Sequence, residues 1–565
     1  MSDMAGEDWR TIAKKAQDYR DASIARIEPA VPHVHTDLPL NVTHIPRELL
    51  SQAEVTITES TSEELLAQLA QGSLTCLEVT TAFLRRAGLA QALTNCITEA
   101  LPERALDRAR SLDLYLSEHG KPIGPLHGLP ISVKEHISMK GLGVNAAFVS
   151  WWDHVADRNA PVLDILWNAG CVFYARTTQP QTLMHLETSS NLYGETVNPH
   201  NRRLTSGGSS GGEGALLGMH GSCLGLGTDI GGSIRSPAAN CGVYGFRPTT
   251  YRIPGEGCAT TDEGQEQVVP VLGPLSTSLE AIKLFFKTVI AAKPWLDDPS
   301  LIPLPWRDNE NFFPDSRVKV AVMWHDGVVK PHPPVTRALN IVVEKLKLMP
   351  NVQVVDWEPF QHDRAWELVS SLYFPDGGVQ DIEALEASGE PLRPLTEFIL
   401  KHNPHVKHLT VRELWELTIQ REEYRTKHAQ VWNSTASRGD QMVDVILCPV
   451  GPGTAPLLNH ARYWPYTSHW NLVDHPALVF PVTKADPALD PVEADFRPMS
   501  ASDEENHKAY ENTELYIGAP VSLQLVGRRY EDEKVLSQDL SVRQCLPKSV
   551  QVIQAFELLR QSFQP

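Results

Sequence analysis

The sequence predicts an α/β protein built on a largely parallel central sheet with helices on both faces. Two observations carry this reading. Short apolar runs with strand character alternate with stretches in helical period, and that alternation implies crossover connections between parallel strands. Of the 565 residues, 42% are hydrophobic and 21% charged, which is ample material for a large core. No internal repeat is present.

Taken in order, residues 1–60 read as a peripheral extension. A helix over 8–27 places Trp9, Ile12, Ala13 and Ala16 on one face. Pro29, Pro32, Pro39 and Pro46 then impose an extended course. Thr61-Ser62-Glu63-Glu64 is a capping box opening a helix through Leu65, Leu66 and Leu69 that stops at Gly72. Amphipathic helices follow over 75–88 and 103–118. In PLHGLPISVKE (125–135), Ile131 and Val133 mark a short buried strand with Lys134 at its end. A helix over 160–169 feeds a strand at 171–175. Val335, Ala338, Leu339, Val342, Val343 and Leu346 keep helical spacing between strands at 318–323 and 352–355. That is a βαβ unit, whose connection should be right-handed. Residues 360–440 are mostly helical and include Trp366, Tyr373, Phe374 and Trp415. Strands recur at 444–450, 477–482 and 521–526, and the acidic, proline-containing stretch 484–512 reads as an exposed loop.

Composition narrows the function classes. The net charge of −19 argues against a nucleic-acid footprint. The eight cysteines form no C-x-x-C pair and no H-E-x-x-H is present, so reduced thiols in a cytoplasmic protein without a metal site are expected. The start MSDMAGEDWRTIAKK has no signal pattern, and no apolar run approaches the length of a membrane span.

Chemistry concentrates between Thr205 and Thr249, where two serine-bearing glycine turns occur, GGSSGG (207–212) and GGS (231–233). Such turns let a backbone approach a ligand closely and aim N–H groups at one point. Ser233 opens a helix over 233–240, a place where capping is the usual role of a serine. Gly207-x-Ser209-x-Gly211 also fits a nucleophile elbow, although 202–205 makes a poor strand before it. No Gly-Lys-Ser/Thr follows, which disfavours a phosphate loop. Lys134 at a strand end is either a buried base of lowered pKa or a snorkelling surface lysine. His127, His136, His185 and His220 keep a Ser-His-Asp triad in play. Asp229 and Arg235 read as an ion pair holding the second turn.

PISVKEH, GGSSGGEGAL and GTDIGGSIRSPAA stand 75 and 24 residues apart at Lys134, Ser209 and Ser233, and this pattern resembles the amidase signature family. The likeness runs over roughly 60–545 and is nearest the acetamidase or general amidase branch. It implies the amidase-signature fold, a large mixed and mostly parallel central sheet covered by helices on both faces, as one catalytic domain over 61–565 behind the 1–60 extension, with a pocket-covering insertion at about 360–440. It also implies an amide hydrolase in which Ser233 is acylated, Lys134 is the base and Ser209 relays the proton after a cis Gly208–Ser209 bond. The oxyanion hole would be the N–H groups of Ile230, Gly231, Gly232 and Ser233. Ser210 would support Lys134 or the loop. Leu183, with Met184 and His185, would line the acyl pocket, and Asp474 and His475 would bear on its amine side. No cofactor is implied, the partner is a small-molecule amide, and a homodimer is allowed. Acyl transfer, an amidotransferase subunit and a silent binding protein are the competing readings.

Overall fold

The structure is a computed structural model that describes residues 7–307, 312, 317–436 and 441–537. Residues 538–565 of the expected catalytic domain, Cys545 among them, lie outside the described residues.

The strands in chain order are β1 (Ile97–Ala100), β2 (Pro130–Lys134), β3 (Val172–Thr177), β4 (Ser189–Ser190), β5 (Gly194–Glu195), β6 (Leu224–Asp229) and β7 (Tyr244–Arg247). They continue with β8 (Val271–Ser276), β9 (Val318–Val322), β10 (Val352–Asp356), β11 (Val445–Pro449), β12 (Ala477–Lys484) and β13 (Pro520–Val526). All but the β4–β5 pair join one 11-stranded sheet, in the order β1-β3-β2-β6-β8-β7-β12-β13-β11-β9-β10. Parallel pairing holds in two blocks, β3-β2-β6 and β11-β9-β10. Between them the neighbours from β6 to β11 are antiparallel, as is β1 on β3. The sheet is therefore mixed, with its parallel character concentrated where strand and helix alternate in sequence.

Alternate residues of a strand face opposite sides, and both sides are covered. Val445 and Leu447 of β11 pack in the main core with the helix Pro333–Lys347, which buries all six residues of the expected helical face. Ile446 and Cys448 pack in a second core with the helix His362–Tyr373. The capping box at Thr61 and Glu64 forms as expected, and Gly72 closes that helix in the left-handed conformation.

Three local expectations change. The N-terminal segment is not peripheral, because Ile27, Val42 and Ile57 belong to the main core. Its proline-rich part is also not wholly extended: Ile45–Leu49 and Gln52–Glu59 are helices, the second opened by a Ser51/Glu54 capping box. Within 484–512 a helix, Ala501–Ala509, starts at the Ser500 cap. There the carboxylates of Asp490 and Asp503 are buried, holding Arg337 and the Lys330 N–H. Low apolar content misled here, since caps and ion pairs fix much of that stretch and two of its apolar residues, Ala485 and Tyr510, reach the main core.

Candidate active site

β2 ends in the interior, and all five of its residues are buried. Lys134 is fully buried, with Nζ 2.7 Å from Ser209 Oγ and 3.0 Å from Thr228 Oγ1. Burial pushes its pKa down to about 7, against the opposing pull of Cys258, Asp229 and Glu213. The snorkelling alternative is thereby removed. Glu213, from the helix Gly211–Gly218, accepts from Ser132 and Thr177, and burial lifts its carboxyl to about 8. Burial thus works against the charged forms of both Glu213 and Lys134.

The first glycine turn is packed tightly beneath this amine. A Cβ on Gly208 would sit 2.3 Å from the Glu187 carbonyl oxygen, so only glycine fits before Ser209. The Gly208–Ser209 peptide is cis. Ser210 N–H donates to the Ser233 carbonyl (3.0 Å), and its hydroxyl bonds the backbone of Thr228. Ser210 thus ties the two turns together and makes no hydrogen bond to Lys134 among the described residues.

The second turn hangs on Asp229. Its buried carboxylate accepts from Gly232 N–H (2.9 Å), Ile234 N–H (3.2 Å), two nitrogens of Arg235 and Asn471 Nδ2. Burial alone would raise this carboxyl, but the Arg235 guanidinium holds it well below the usual carboxylate range. The expected ion pair is therefore present, fully enclosed. Tyr373 Oη donates to the Ile230 carbonyl (2.9 Å), and Thr467 Oγ1 to that of Gly231 (2.6 Å). With those carbonyls anchored, the N–H groups of Ile230, Gly231 and Ser233 take no protein acceptor among the described residues. Gly232 N–H differs from expectation, being committed to Asp229. The helix after the turn begins at Arg235 rather than Ser233, which leaves Ser233 on the bend itself.

Ser209 and Ser233 line one cavity of about 200 Å³, whose walls include Leu183, Met184, Ile230 and Tyr373. Among the described residues no hydrogen bond joins the two hydroxyls, so the lysine-to-Ser209 link is made and the Ser209-to-Ser233 link is open. Thr182 and Leu183 both have positive φ (63° and 62°). For residues with a Cβ such conformations cost on the order of 1–3 kcal/mol and collect at functional sites. Leu183 packs in a small cluster with Phe148 and Leu385.

Other candidates fall away. His185 turns from the cavity to Thr396 (2.7 Å), and His127 lies against Cys76. No histidine bonds Ser209, Ser210 or Ser233 among the described residues, so the triad is not formed. Of the four aromatic residues noted in 360–440, only Tyr373 lines the cavity; Trp415 is 66% exposed. Asp474 pairs with Arg247 and Arg529, and His475 lies among buried rings, so neither borders the cavity. Sequence reading passed over Thr228 and weighed His136 only as a member of a Ser-His-Asp triad. Thr228 bridges Lys134 and His136, whose Nε2 is 3.0 Å away. Their only signal was adjacency to the motifs, in GTDIGGS and KEH.

The model of the family described as Amidase matches residues 78–536. The chain belongs to the Amidase family. As a member it is an amide hydrolase. It is 40% identical over 494 residues to an acetamidase of Emericella nidulans, covering 86% of this chain and 89% of that one. An acetamidase of Aspergillus oryzae is 39% identical over 524 residues, covering 91% and 95%. Among solved structures, a fatty acid amide hydrolase superimposes with a TM-score of 0.90 at 36% identity, covering 97% of each chain. No helix among the described residues is long and apolar enough to cross a membrane.

Proposed function

We propose that this amidase hydrolyses a small carboxamide through an acyl-enzyme on Ser233. The observation that carries the reading is the buried Lys134 amine 2.7 Å from Ser209, in a cavity wall shared with Ser233 and open N–H donors. A neutral Lys134 takes the Ser209 proton as Ser209 takes that of Ser233, whose oxygen attacks the amide carbon. The oxyanion forms beside the N–H groups of Ile230, Gly231 and Ser233. The ammonium of Lys134 returns a proton through Ser209 to the leaving nitrogen, the C–N bond breaks, and ammonia or an amine departs. Water, deprotonated by the same pair, then cleaves the ester and regenerates Ser233. The open Ser209–Ser233 link closes when substrate fills the cavity, as catalytic hydrogen bonds often do.

Size and charge support the substrate class. The cavity, at about 200 Å³, is below the roughly 300–1,000 Å³ of sites for drug-sized ligands. The charged side chains lining it are acidic, Asp262 and Glu263, which disfavours substrates bearing a carboxylate. Relatives named acetamidase point the same way. A cytoplasmic setting belongs to the proposal, resting on seven free thiols among the described residues.

The test is ammonia release from acetamide by alanine variants at Lys134, Ser209 and Ser233. Loss of at least about 100-fold is expected for Lys134→Ala, the scale of general-base catalysis, and background rates for Ser233→Ala. Activity retained in Ser233→Ala but absent in Ser209→Ala would move the nucleophile to Ser209.

A further inference from the structure

We infer that His136 is a positioning residue that sets the direction of the hydrogen bonds reaching Lys134, keeping the lysine lone pair free for Ser209. The inference rests on the proposed role of Lys134 as base, and it follows from the donors and acceptors along one buried chain. His136 Nδ1 lies 3.0 Å from the Ala259 carbonyl, which can only accept, so Nδ1 carries the proton. Burial, followed by the charge of Lys134, pushes the imidazole pKa down to about 3, so the ring is neutral and Nε2 is an acceptor. The Thr228 hydroxyl, 3.0 Å from Nε2, must therefore donate to it. Its single proton spent, Thr228 can only accept from Lys134 Nζ, also 3.0 Å away.

A neutral amine has two N–H bonds and one lone pair. Here one N–H is fixed on Thr228, and the lone pair is left for the hydroxyl proton of Ser209 at 2.7 Å. Without an acceptor at position 136, the threonine hydroxyl can turn and donate into that lone pair. The amine would then be neutral but occupied. The other titratable groups bearing on Lys134 are Cys258, Asp229 and Glu213, and Arg176 also bears on His136; none of them bonds Thr228 Oγ1. His136 borders the substrate cavity as well, but its stated role acts through Thr228.

The experiment compares His136→Phe, Thr228→Val and the double variant, with Lys134→Ala as reference, on acetamide between pH 5 and 10. His136→Phe is expected to lower kcat about tenfold, the size of one misdirected strong hydrogen bond, with KM near the parent value. Its acid limb should move to lower pH, because a donated hydrogen bond stabilises the neutral amine. Mere loosening would admit water and move that limb upward. Adding Thr228→Val should restore the rate to that of Thr228→Val alone, since no hydroxyl remains to turn. If His136→Phe does not fold, His136→Leu enters the same comparison. The inference falls if the His136 variant matches the parent, if its limb rises, or if the double variant is no better than the single. If Lys134→Ala stays active, the catalytic reading itself fails, and that result is distinct from the others.

Discussion

Replacing Asp229 by asparagine keeps the shape of the second turn's anchor and removes its charge. The carboxylate and Arg235 are both fully buried, with Nη2 2.9 Å from Oδ1 and Nε 3.0 Å from Oδ2. Among the described residues Arg235 keeps only the Thr467 carbonyl and Asn471 Oδ1 as further acceptors. Stranding one partner of such a pair costs about 3–5 kcal/mol. The asparagine amide would in addition face donors from Gly232, Ile234 or Arg235, where an acceptor is needed. Urea unfolding followed by tryptophan fluorescence should show that loss, and kcat on acetamide should fall at least tenfold because the donors beside Ser233 hang on this carboxylate. Asp474→Asn is the control. It strands Arg247, also buried, at 2.8 Å, but lies away from the cavity. It should destabilise comparably and leave kcat near normal. Asp229→Asn unfolding within about 1 kcal/mol of the parent, or both variants losing kcat alike, would refute the assignment of the turn's geometry to this ion pair.

Other perturbations read other parts of the account. Gly232 has φ +130°, and a Cβ there would lie 2.4 Å from Thr467 Oγ1, so Gly232→Ala should lower kcat about 100-fold or more while the protein stays folded by circular dichroism. With Lys134 near 7 and active only when neutral, kcat/KM should fall about tenfold per pH unit below that value; a flat profile from pH 5 to 9 would contradict a lysine base. His362, His428, His469 and His475 form a buried ring cluster, with His362 and His469 stacked at 3.9 Å, and burial depresses the pKa of each. The unfolded chain binds protons there below about pH 6.5 while the folded chain does not, so their stability contribution is complete above that pH and is lost as pH falls toward 3. The free energy of unfolding in urea should drop between pH 8 and pH 5, by up to about 2 kcal/mol per histidine, and constancy over that range would contradict a neutral buried cluster.

Much of the site was legible because its constraints are local. Lys134 follows a strand pattern that buries its neighbours, and Ser209 and Ser233 sit in glycine turns where a Cβ cannot fit. The helix over Val335 to Leu346 was equally readable, since its period is its packing face. What escaped depends on distant chain segments. Tyr373, Thr467 and Asn471 clamp the second turn from more than a hundred residues away, and a tyrosine or threonine in a helix carries no mark of such a partner. The antiparallel middle of the sheet escaped too, because pairing of β8, β7 and β12 is decided by long connections rather than by the strands themselves. His136 and Thr228 were visible as residues, but the direction of their hydrogen bonds exists only once the Ala259 carbonyl is in place.

The most direct test of the central claim is to find which oxygen becomes covalently modified. A fluorophosphonate that mimics the acyl group should label one residue, and mass mapping of the digested protein should place the adduct on Ser233, at a rate that falls below about pH 7. An adduct on Ser209 or Ser210, or labelling that persists unchanged in Lys134→Ala, would contradict it.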